Sequence, residues 1–410
     1  MSLVAICGLD KTVSNTVEEA FESAGLFKHI KRGQKVLIKP NLVAVPPVEP
    51  GGGVTMAEVS EGVALLVEKA GAKAIIADSS AVGVRTEDVI QTTGYLELRN
   101  KGYEVRDLKE DKTIDFNGFE SYETINEVDV IISLPVMKTH DQLEVSLGMK
   151  NLKGLLSDGE KKNFHNKYDL AKALISFISN LMKKKKMLSV MDGIVALEGR
   201  GPVFGTPVEM GYILASEDLV ALDLIAAKMM GVPWELLRIE TEGVKSLSQS
   251  TFGRRDDLDL DKIKITGAIN HVDEIPVRTF DRNKEVEINA NEFALNFSDR
   301  TCTGCKNTVL SCLETMKENG KEVLLEGKKI FAGGSLTEFK ELKELKNGFN
   351  EIKNFSKANE QKIYLVGFCL TNSLRCELNH GIAKKAVLID GCPPENNRVM
   401  KSLEQKVIDI

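Results

Sequence analysis

Six cysteines near the end of the chain could hold a metal ion or cluster. The chain has seven cysteines, and six of them follow residue 300. In a cytosolic chain, clustered cysteines more often bind metal or carry out redox chemistry than form structural disulfides. Cys302 and Cys305 form a CxxC pair, which can present two thiolates to one metal from a single turn. The other candidates are Cys312, Cys369, Cys376 and Cys392.

Two of these cysteines end apolar runs. Cys369 closes KIYLVGFC and Cys392 closes AVLIDGC, and the run KKIFAGGS precedes them. If these runs are parallel strands, both sulfurs lie at the carboxyl edge of the sheet, where ligand sites form in open α/β sheets. The predicted ligand set is Cys302, Cys305, Cys369 and Cys392, with Cys312 and Cys376 as alternates. Four thiolates suit a [4Fe-4S] cluster or zinc, and thiols without metal are the third interpretation.

Basic and amide side chains follow the strand-like runs of the first part of the chain. Lys39 ends KVLIK, and Lys138, Thr139 and His140 follow VDVIISLPVM. Lysines at a dry sheet edge, beside a helix N-terminus, would bind a carboxylate or phosphate. The predicted ligand-binding residues are Lys39, Asn41, Thr55, Asp78, Lys138, Thr139, Lys150, Asn151, Lys153 and Arg200. In contrast, the four consecutive lysines at 183–186 predict a solvated surface run.

Three residues are predicted to handle protons. His140 and His165 can change charge near neutral pH, and Asp192 ends a strand-like run from which it could act as a base or bind Mg²⁺. For Asp78 and Asp192 the alternative is helix capping or pairing with a nearby lysine. The glycine-rich loops PGGGVT and GRGPVFG fit neither the Walker nor the dinucleotide spacing.

The elements that would position these residues are typical of an α/β protein. Continuous apolar runs such as KVLIKP and AKAIIADSS alternate with helical patterns, which indicates a parallel sheet with helices on both faces. Thr55 is predicted to open a helix, with Glu58 completing a capping box. The pattern restarts near Asn296. We therefore expect an α/β anion- or substrate-binding domain at 1–295 and a smaller β-α metal domain with clustered cysteines at 296–410.

Composition excludes some classes of partner. With a net charge of -6 and 6% aromatic residues, the chain lacks the basic, aromatic surface of a nucleic-acid binder. No apolar window is long enough to cross a bilayer, and the N-terminus lacks a signal-peptide pattern. The sequence therefore predicts a cytoplasmic protein without a membrane partner, and oligomerisation is left open.

Several segments resemble a known family. In order they are VLIKPNLV, GVTMAEV, GAKAIIADSS, VDVIISLPVMKTH with GMKNLKG, MDGIVALEGRGPVFGTPV and SEDLVALDLIAAKMMG. Together, over a core of about residues 1–235, they resemble domain-of-unknown-function family 362, also described as uncharacterised Fe-S centre proteins. The resemblance implies an α/β protein, often fused to a ferredoxin-type cluster domain, with an unassigned reaction. The ferredoxin spacing CxxCxxCxxxCP is absent from this chain.

Three functional hypotheses follow. The first is an iron–sulfur protein that transfers electrons to or from a small anionic ligand; as an enzyme it would be an oxidoreductase with a redox partner protein. The second is a non-redox enzyme that acts on an anionic metabolite and carries a structural zinc. The third is a metal or cluster carrier, for which the cysteines beyond four are the supporting feature.

Overall fold

The computed structural model divides the chain into two compact units, Met1–Asn283 and Lys284–Ile410. The domain boundary expected from the sequence is at 295/296. The structure describes residues 2–9, 12–46, 51–140, 143–166, 169–203, 205–247, 260–281, 288–298, 301, 303–333, 339, 342, 362–367, 370–371, 386–390 and 396–404. Within these residues, no helix has both the length and the apolar character that a bilayer span requires.

The first unit alternates strands and helices. Its strands are β1 (Leu3–Gly8), β2 (Lys35–Lys39), β3 (Lys73–Asp78), β4 (Val105–Asp107), β5 (Thr113–Phe116), β6 (Phe119–Tyr122), β7 (Val130–Ser133), β8 (Val136–His140), β9 (Glu144–Ser146), β10 (Lys186–Glu198), β11 (Thr206–Ser216) and β12 (Lys264–Gly267). Its helices are α1 (Val13–Ser23), α2 (Ala57–Lys69), α3 (Thr86–Thr92), α4 (Tyr95–Asn100), α5 (Thr124–Glu127), α6 (Gly148–Asn151), α7 (Asp158–Asn166), α8 (Leu170–Lys184), α9 (Leu219–Met229) and α10 (Arg238–Ser246).

Most of these strands form one large, mostly parallel sheet. Its order is β12-β1-β11-β10-β7-β2-β3-β4, and β11 runs antiparallel to both of its neighbours. The strand β8 continues alongside β10 beyond the end of β7 and pairs with β9. Because β2, β3 and β7 are parallel neighbours, the loops that leave their carboxyl ends meet at one edge of the sheet.

Helices cover both faces of this sheet. Along β2, Leu37 belongs to one hydrophobic cluster, whereas Val36 and Ile38 belong to the other, as expected for alternating side chains of a strand. The first cluster includes residues of α8 and α9, and the second includes residues of α1 and α2. The predicted α/β class, with helices on both faces of a buried sheet, is therefore confirmed.

The second unit contains a smaller parallel sheet. Its described elements are β13 (Ala294–Phe297), α11 (Thr303–Glu318), β14 (Lys328–Ala332), β15 (Lys362–Val366), β16 (Ala386–Ile389) and α12 (Asn396–Glu404). The strands lie in the order β13-β14-β15-β16, and each adjacent pair is parallel. The three apolar runs that the sequence predicts as strands are thus neighbours, and their carboxyl ends share one edge.

Candidate functional site

A buried ion pair lies where β2 and β3 end. The ammonium of Lys39 is 2.7 Å from Asp78 Oδ1, and Lys39 is only 1% exposed. Lys39 Nζ also donates to Pro40 O at 2.8 Å and to Asn151 Oδ1 at 3.0 Å. Burial lowers the pKa of Lys39 more than the attraction of Asp78 raises it. All three lysine protons therefore have acceptors, and the side chain is fixed in one position.

The backbone of a neighbouring turn closes over this pair. Asp78 accepts hydrogen bonds from the backbone N–H of Leu42 at 2.7 Å and of Ser79 at 2.8 Å. A methyl group at Gly154 would lie 2.7 Å from Lys39 Nζ and closer still to the Asp78 carboxylate. Glycine is therefore the residue that lets the 3₁₀ turn Leu152–Leu155 rest directly on the ion pair.

A second lysine at this edge is held by uncharged oxygens. Lys138 is fully buried in β8, and its Nζ donates to Asn41 Oδ1 at 3.0 Å and to Gly53 O at 2.7 Å, with Pro202 O at 3.4 Å. Burial lowers its pKa well below the ordinary value, and repulsion from Lys150 and from Lys39 lowers it further. Among the described residues, its amine therefore contacts an amide oxygen and backbone carbonyl oxygens and no carboxylate.

The two glycine-rich loops supply those oxygens because they pack tightly on the sheet. A methyl group at Gly201 would overlap the carbonyl of Thr139, and one at Gly52 would overlap the carbonyl of Ala196. Thr139 Oγ1 donates to Gly199 O at 2.9 Å, which fixes the second loop to β8. Glycine at these positions therefore allows close backbone approach to the strands that carry the lysine.

Lys161 is a cation of this region that the sequence analysis missed. It lies on α7 and is 4% exposed, and its Nζ donates to Ser79 O at 3.0 Å, to Ser79 Oγ at 2.6 Å and to Ser80 O at 2.7 Å. Burial lowers its pKa to about 8 despite the nearby carboxylates of Asp158 and Asp78. It holds the loop that follows β3.

Lys150 differs from the other lysines in its contacts. It lies on α6 beside Asn151 and is only partly exposed. Burial, followed by repulsion from Lys39, lowers its pKa to about 8. In the part of the chain that the structure describes, no hydrogen bond or ion pair engages its amine. Within that part of the chain, Lys150 is the lysine of this edge whose amine the protein's own oxygens do not hold.

We refer to Lys39, Lys138, Lys150 and Lys161 as the lysine cluster. Asp78 is 3% exposed and is the carboxylate buried within the cluster, while Asp158, whose side chain is 35% exposed, lies 3.6 Å from Lys161. Buried charge that lacks a matching counter-ion is costly, because water no longer solvates it. The lysines of the cluster thus outnumber the carboxylates that the structure places against them.

The other predicted residues of this edge are also buried. His140 is the last residue of β8 and lies opposite Glu144 of β9. Lys153 precedes Gly154 on the turn above the ion pair, and Arg200 lies within the second glycine loop. The side chain of His165 is outside what the structure describes, so its predicted role in proton transfer stays a prediction.

The predicted capping of α2 by Thr55 is wrong. The helix begins at Ala57, with Met56 at the N-cap and no capping bond from a side chain of its own. Thr55 Oγ1 instead accepts from Asn41 N at 2.8 Å and donates to Leu134 O at 2.7 Å. Thr55 therefore ties together the loops that follow β2 and β7, because its hydroxyl finds partners across the sheet edge.

Asp192, a residue of β10, caps the start of α2. Its carboxylate accepts hydrogen bonds from Met56 N at 2.8 Å and from Ile194 N at 3.1 Å. Burial raises its pKa to about 6, and these two hydrogen bonds oppose the rise. This is the capping alternative that the sequence left open for Asp192, with a partner 136 residues away. Its predicted catalytic role stays a prediction.

In the second unit, Cys305 lies at the carboxyl end of β15. A methyl group at Gly367, the residue after β15, would be 2.8 Å from Cys305 Sγ. The same methyl group would be 3.6 Å from the backbone nitrogen of Gly333, which follows β14. The sulfur is therefore at the edge of the sheet that the predicted thiolate site requires.

The structure places Cys312 elsewhere. It packs in the core of this unit with Val309, Leu313 and Val399, and burial raises the pKa of its thiol to about 12. Cys302, Cys369, Cys376 and Cys392 lie outside the described residues. Among the residues that are described, no group of three metal-ligating side chains converges.

Comparison with known proteins identifies a family for the first unit. The chain is 35% identical to a thylakoid-associated protein of Synechocystis sp. over 216 residues, which are 50% of this chain and 66% of that protein. No solved structure matches the chain. The sequence model of the family described as Domain of unknown function (DUF362) matches residues 36–228, the segment that carries the whole lysine cluster. Over this segment, the chain is similar to the DUF362 family.

Proposed function

We propose that the first unit binds a small carboxylate or phosphate anion at the lysine cluster. The observation that carries this proposal is that three buried lysines and the partly exposed Lys150 lie around a single ion-paired carboxylate, Asp78, at the edge where β2 and β3 end. Lys39 is paired with Asp78, whereas Lys138 is held by uncharged oxygens and Lys150 has no described partner. An anion would supply the negative charge that no described residue places against the amines of Lys138 and Lys150.

The physical benefit of such a ligand is large in this environment. The pKa values of Lys138 and Lys150 are lowered first by burial and then by neighbouring lysines. An anion near these groups favours their charged forms, and the ammonium of Lys150 can donate charge-assisted hydrogen bonds to it, which are about twice as strong as neutral ones. Binding and folding are therefore expected to stabilise each other.

Thermal unfolding in the presence of sulfate, phosphate or oxalate tests the anion site. At constant ionic strength set by chloride, an anion at 100 times its Kd should add about 2.7 kcal/mol to the free energy of unfolding. Lys150→Gln should bind at least about tenfold more weakly, since one charge-assisted contact is worth more than ~1.4 kcal/mol. Lys172→Gln, on the exposed face of α8, is the matched control. The proposal would be contradicted if the anions stabilised Lys150→Gln as much as Lys172→Gln, or if they stabilised neither variant.

For the second unit we propose a thiolate-bound metal centre, with a [4Fe-4S] cluster as the first choice and zinc as the alternative. The position of Cys305 Sγ beside Gly367 supports it, because Cys369 follows Gly367 by two residues. Cys302, Cys305, Cys369 and Cys392 would hold the metal. A cluster bound there would supply one-electron redox chemistry. Cys312 fits a core thiol better than a ligand, because it lies among apolar side chains.

Anaerobic purification with metal and sulfide analysis tests this centre. We expect iron and acid-labile sulfide in equal amounts and a broad absorption near about 400 nm. Cys305→Ser should lose most of the metal, whereas Cys312→Ser should retain it. A colourless protein with one zinc would overturn the iron–sulfur assignment. Rapid donation of metal to an apo-protein, without anion binding, would instead support the carrier hypothesis.

We further propose that the two features serve one redox reaction, in which electrons pass between the metal centre and an anionic ligand, with a partner protein as the second redox agent. Their presence on one chain is the support for this coupling. The midpoint potential of the centre should shift when sulfate binds, and an unchanged potential would favour a non-redox enzyme with a structural metal. We propose that this reaction takes place in the cytoplasm. Recovery of the native protein with membranes would contradict this placement and would favour a membrane association, as in the name of the thylakoid-associated relative.

A further inference from the structure

The contacts of the lysine cluster divide its members into two kinds. Lys39, Lys138 and Lys161 each place their ammonium against three oxygen atoms of the protein. Within the described residues, the amine of Lys150 has none. Three lysines are therefore held in place by the fold, and the fourth is left with its lone pair or its protons available.

We propose that Lys150 is a nucleophile that forms an imine with a small anionic aldehyde or 2-oxo acid. The inference rests on the proposed anion site and names the substrate class for it. The charge of the fixed cations would attract the carboxylate or phosphate of such a molecule, and its carbonyl carbon would then face the one amine of the cluster that makes no hydrogen bond or ion pair within the described part of the protein.

The reaction balances without any further reagent. The neutral amine adds its electron pair to the carbonyl carbon, the carbonyl oxygen takes up a proton, and a carbinolamine results. That oxygen then leaves as water together with the two protons of the amine, and a C=N bond remains between Lys150 and the substrate. Neither oxidation nor reduction takes place. The imine withdraws electrons from the neighbouring carbon, as in other lysine-based covalent catalysis.

The surroundings of Lys150 favour this chemistry. Burial and the charge of Lys39 bring the pKa of Lys150 to about 8. At pH 7.5, roughly a quarter of such amines are neutral, against about 0.1% for an ordinary lysine with a pKa of 10.4. A nearby fixed cation is one of the known means of activating a lysine nucleophile. The lower basicity reduces the intrinsic reactivity of the neutral amine, and a net gain of about tenfold or more remains when the anionic group of the substrate lies near the fixed cations and Lys150 meets only the uncharged carbonyl.

Reductive trapping with glyoxylate tests the proposal. The whole protein is incubated with glyoxylate and cyanoborohydride at pH 7.5, and peptide mass spectrometry locates the resulting carboxymethyl-lysines. Lys150 should be labelled at least about tenfold faster than the exposed Lys172, and sulfate should slow its labelling. Lys150→Arg keeps the positive charge, so it should still bind sulfate while the selective label disappears.

The outcomes separate this inference from the proposed function. Selective labelling of Lys150 that sulfate slows supports both the nucleophilic lysine and the anion site. Sulfate binding that depends on the cluster, together with labelling of Lys150 no faster than that of Lys172, overturns the nucleophile and leaves the anion site standing. If sulfate does not bind and Lys150 is not selectively labelled, both are wrong.

Discussion

Anion binding at the lysine cluster should take up protons near pH 8. In the free protein, the pKa of Lys150 is lowered to about 8 by burial and by the charge of Lys39. A bound sulfate would bring negative charge to the same place, favour the ammonium and raise this pKa toward its ordinary value. Because the bound state then holds more protons than the free state, sulfate affinity should fall as the pH rises above 8.

The size of the uptake follows from these values. At pH 8 about half of the free Lys150 amines are protonated, and nearly all would be once the pKa returns to about 10.4. Lys150 alone should therefore take up about 0.5 proton at pH 8 and almost none at pH 6. Lys161, whose pKa is also lowered to about 8, can add to this number if the field of the anion reaches it. Sulfate is suitable because it does not itself titrate in this range.

Titration calorimetry in two buffers with different ionisation enthalpies measures the uptake directly. The apparent heat of sulfate binding should depend on the buffer at pH 8 and be independent of it at pH 6. Lys150→Met should remove about 0.5 proton from the uptake at pH 8. If the heat at pH 8 is the same in both buffers, or if the variant retains the full uptake, Lys150 is not the titrating group of an anion site.

Three further predictions concern packing and buried carboxylates in the first unit. Gly154→Ala should lower the free energy of unfolding, measured in urea, by about 1–3 kcal/mol, because the new methyl group forces Lys39 away from Asp78. Gly8→Ala is the control and should change this free energy little, since its new methyl group meets only the ring of Tyr212 at 3.8 Å. Equal losses in the two variants would contradict the packing argument. Burial raises the pKa of Glu240 to about 7. The contribution of Glu240 to stability is therefore complete below about pH 4.5 and is lost as the pH rises through 7. In urea unfolding, Glu240→Gln should stabilise the protein by up to about 3 kcal/mol at pH 8 and by much less at pH 5. Asp192→Ala should lower the free energy of unfolding by about 1 kcal/mol, because it removes the cap of α2, and Asp192→Asn should lower it less. If the alanine variant unfolds in urea like the unaltered protein, Asp192 is not a stabilising cap.

The sequence was sufficient to locate the edge at which the cluster forms. Apolar runs that end in Lys39 and in Asp78 are buried strands in the structure, whereas the run before Lys138 is divided into β7 and β8, with Lys138 inside β8. Polar groups at the ends of such strands face the loops at the carboxyl edge, where burial of charge is tolerated only with partners. The order of strands was not needed for this step, because parallel strands share one edge whatever their order.

Two features of the edge could not be predicted because they depend on distant partners. Lys161 belongs to the polar helix DGEKKNFHN, which by its composition is typical of a solvated surface, yet its amine contacts a residue 82 positions earlier. The start of α2 is capped by Asp192, 136 residues away, so the local Thr–Glu spacing at residues 55 and 58 pointed to the wrong partner. Local patterns identify which groups are available, whereas the three-dimensional fold decides which of them meet.

The chemistry of the acceptors explains how the edge can remain positive. Lys138 and Lys161 donate mainly to backbone carbonyl oxygens, of Gly53 for the first and of Ser79 and Ser80 for the second. Carbonyl oxygens satisfy the hydrogen bonds of an ammonium but do not cancel its charge, whereas aspartate or glutamate would do both. Replacing these lysines by apolar residues of similar size would often favour folding, since buried ammonium groups are costly to desolvate. The arrangement therefore fixes the loops after the strands through uncharged acceptors, and among the described residues Lys150 is the member of the cluster whose amine has no hydrogen bond or ion pair.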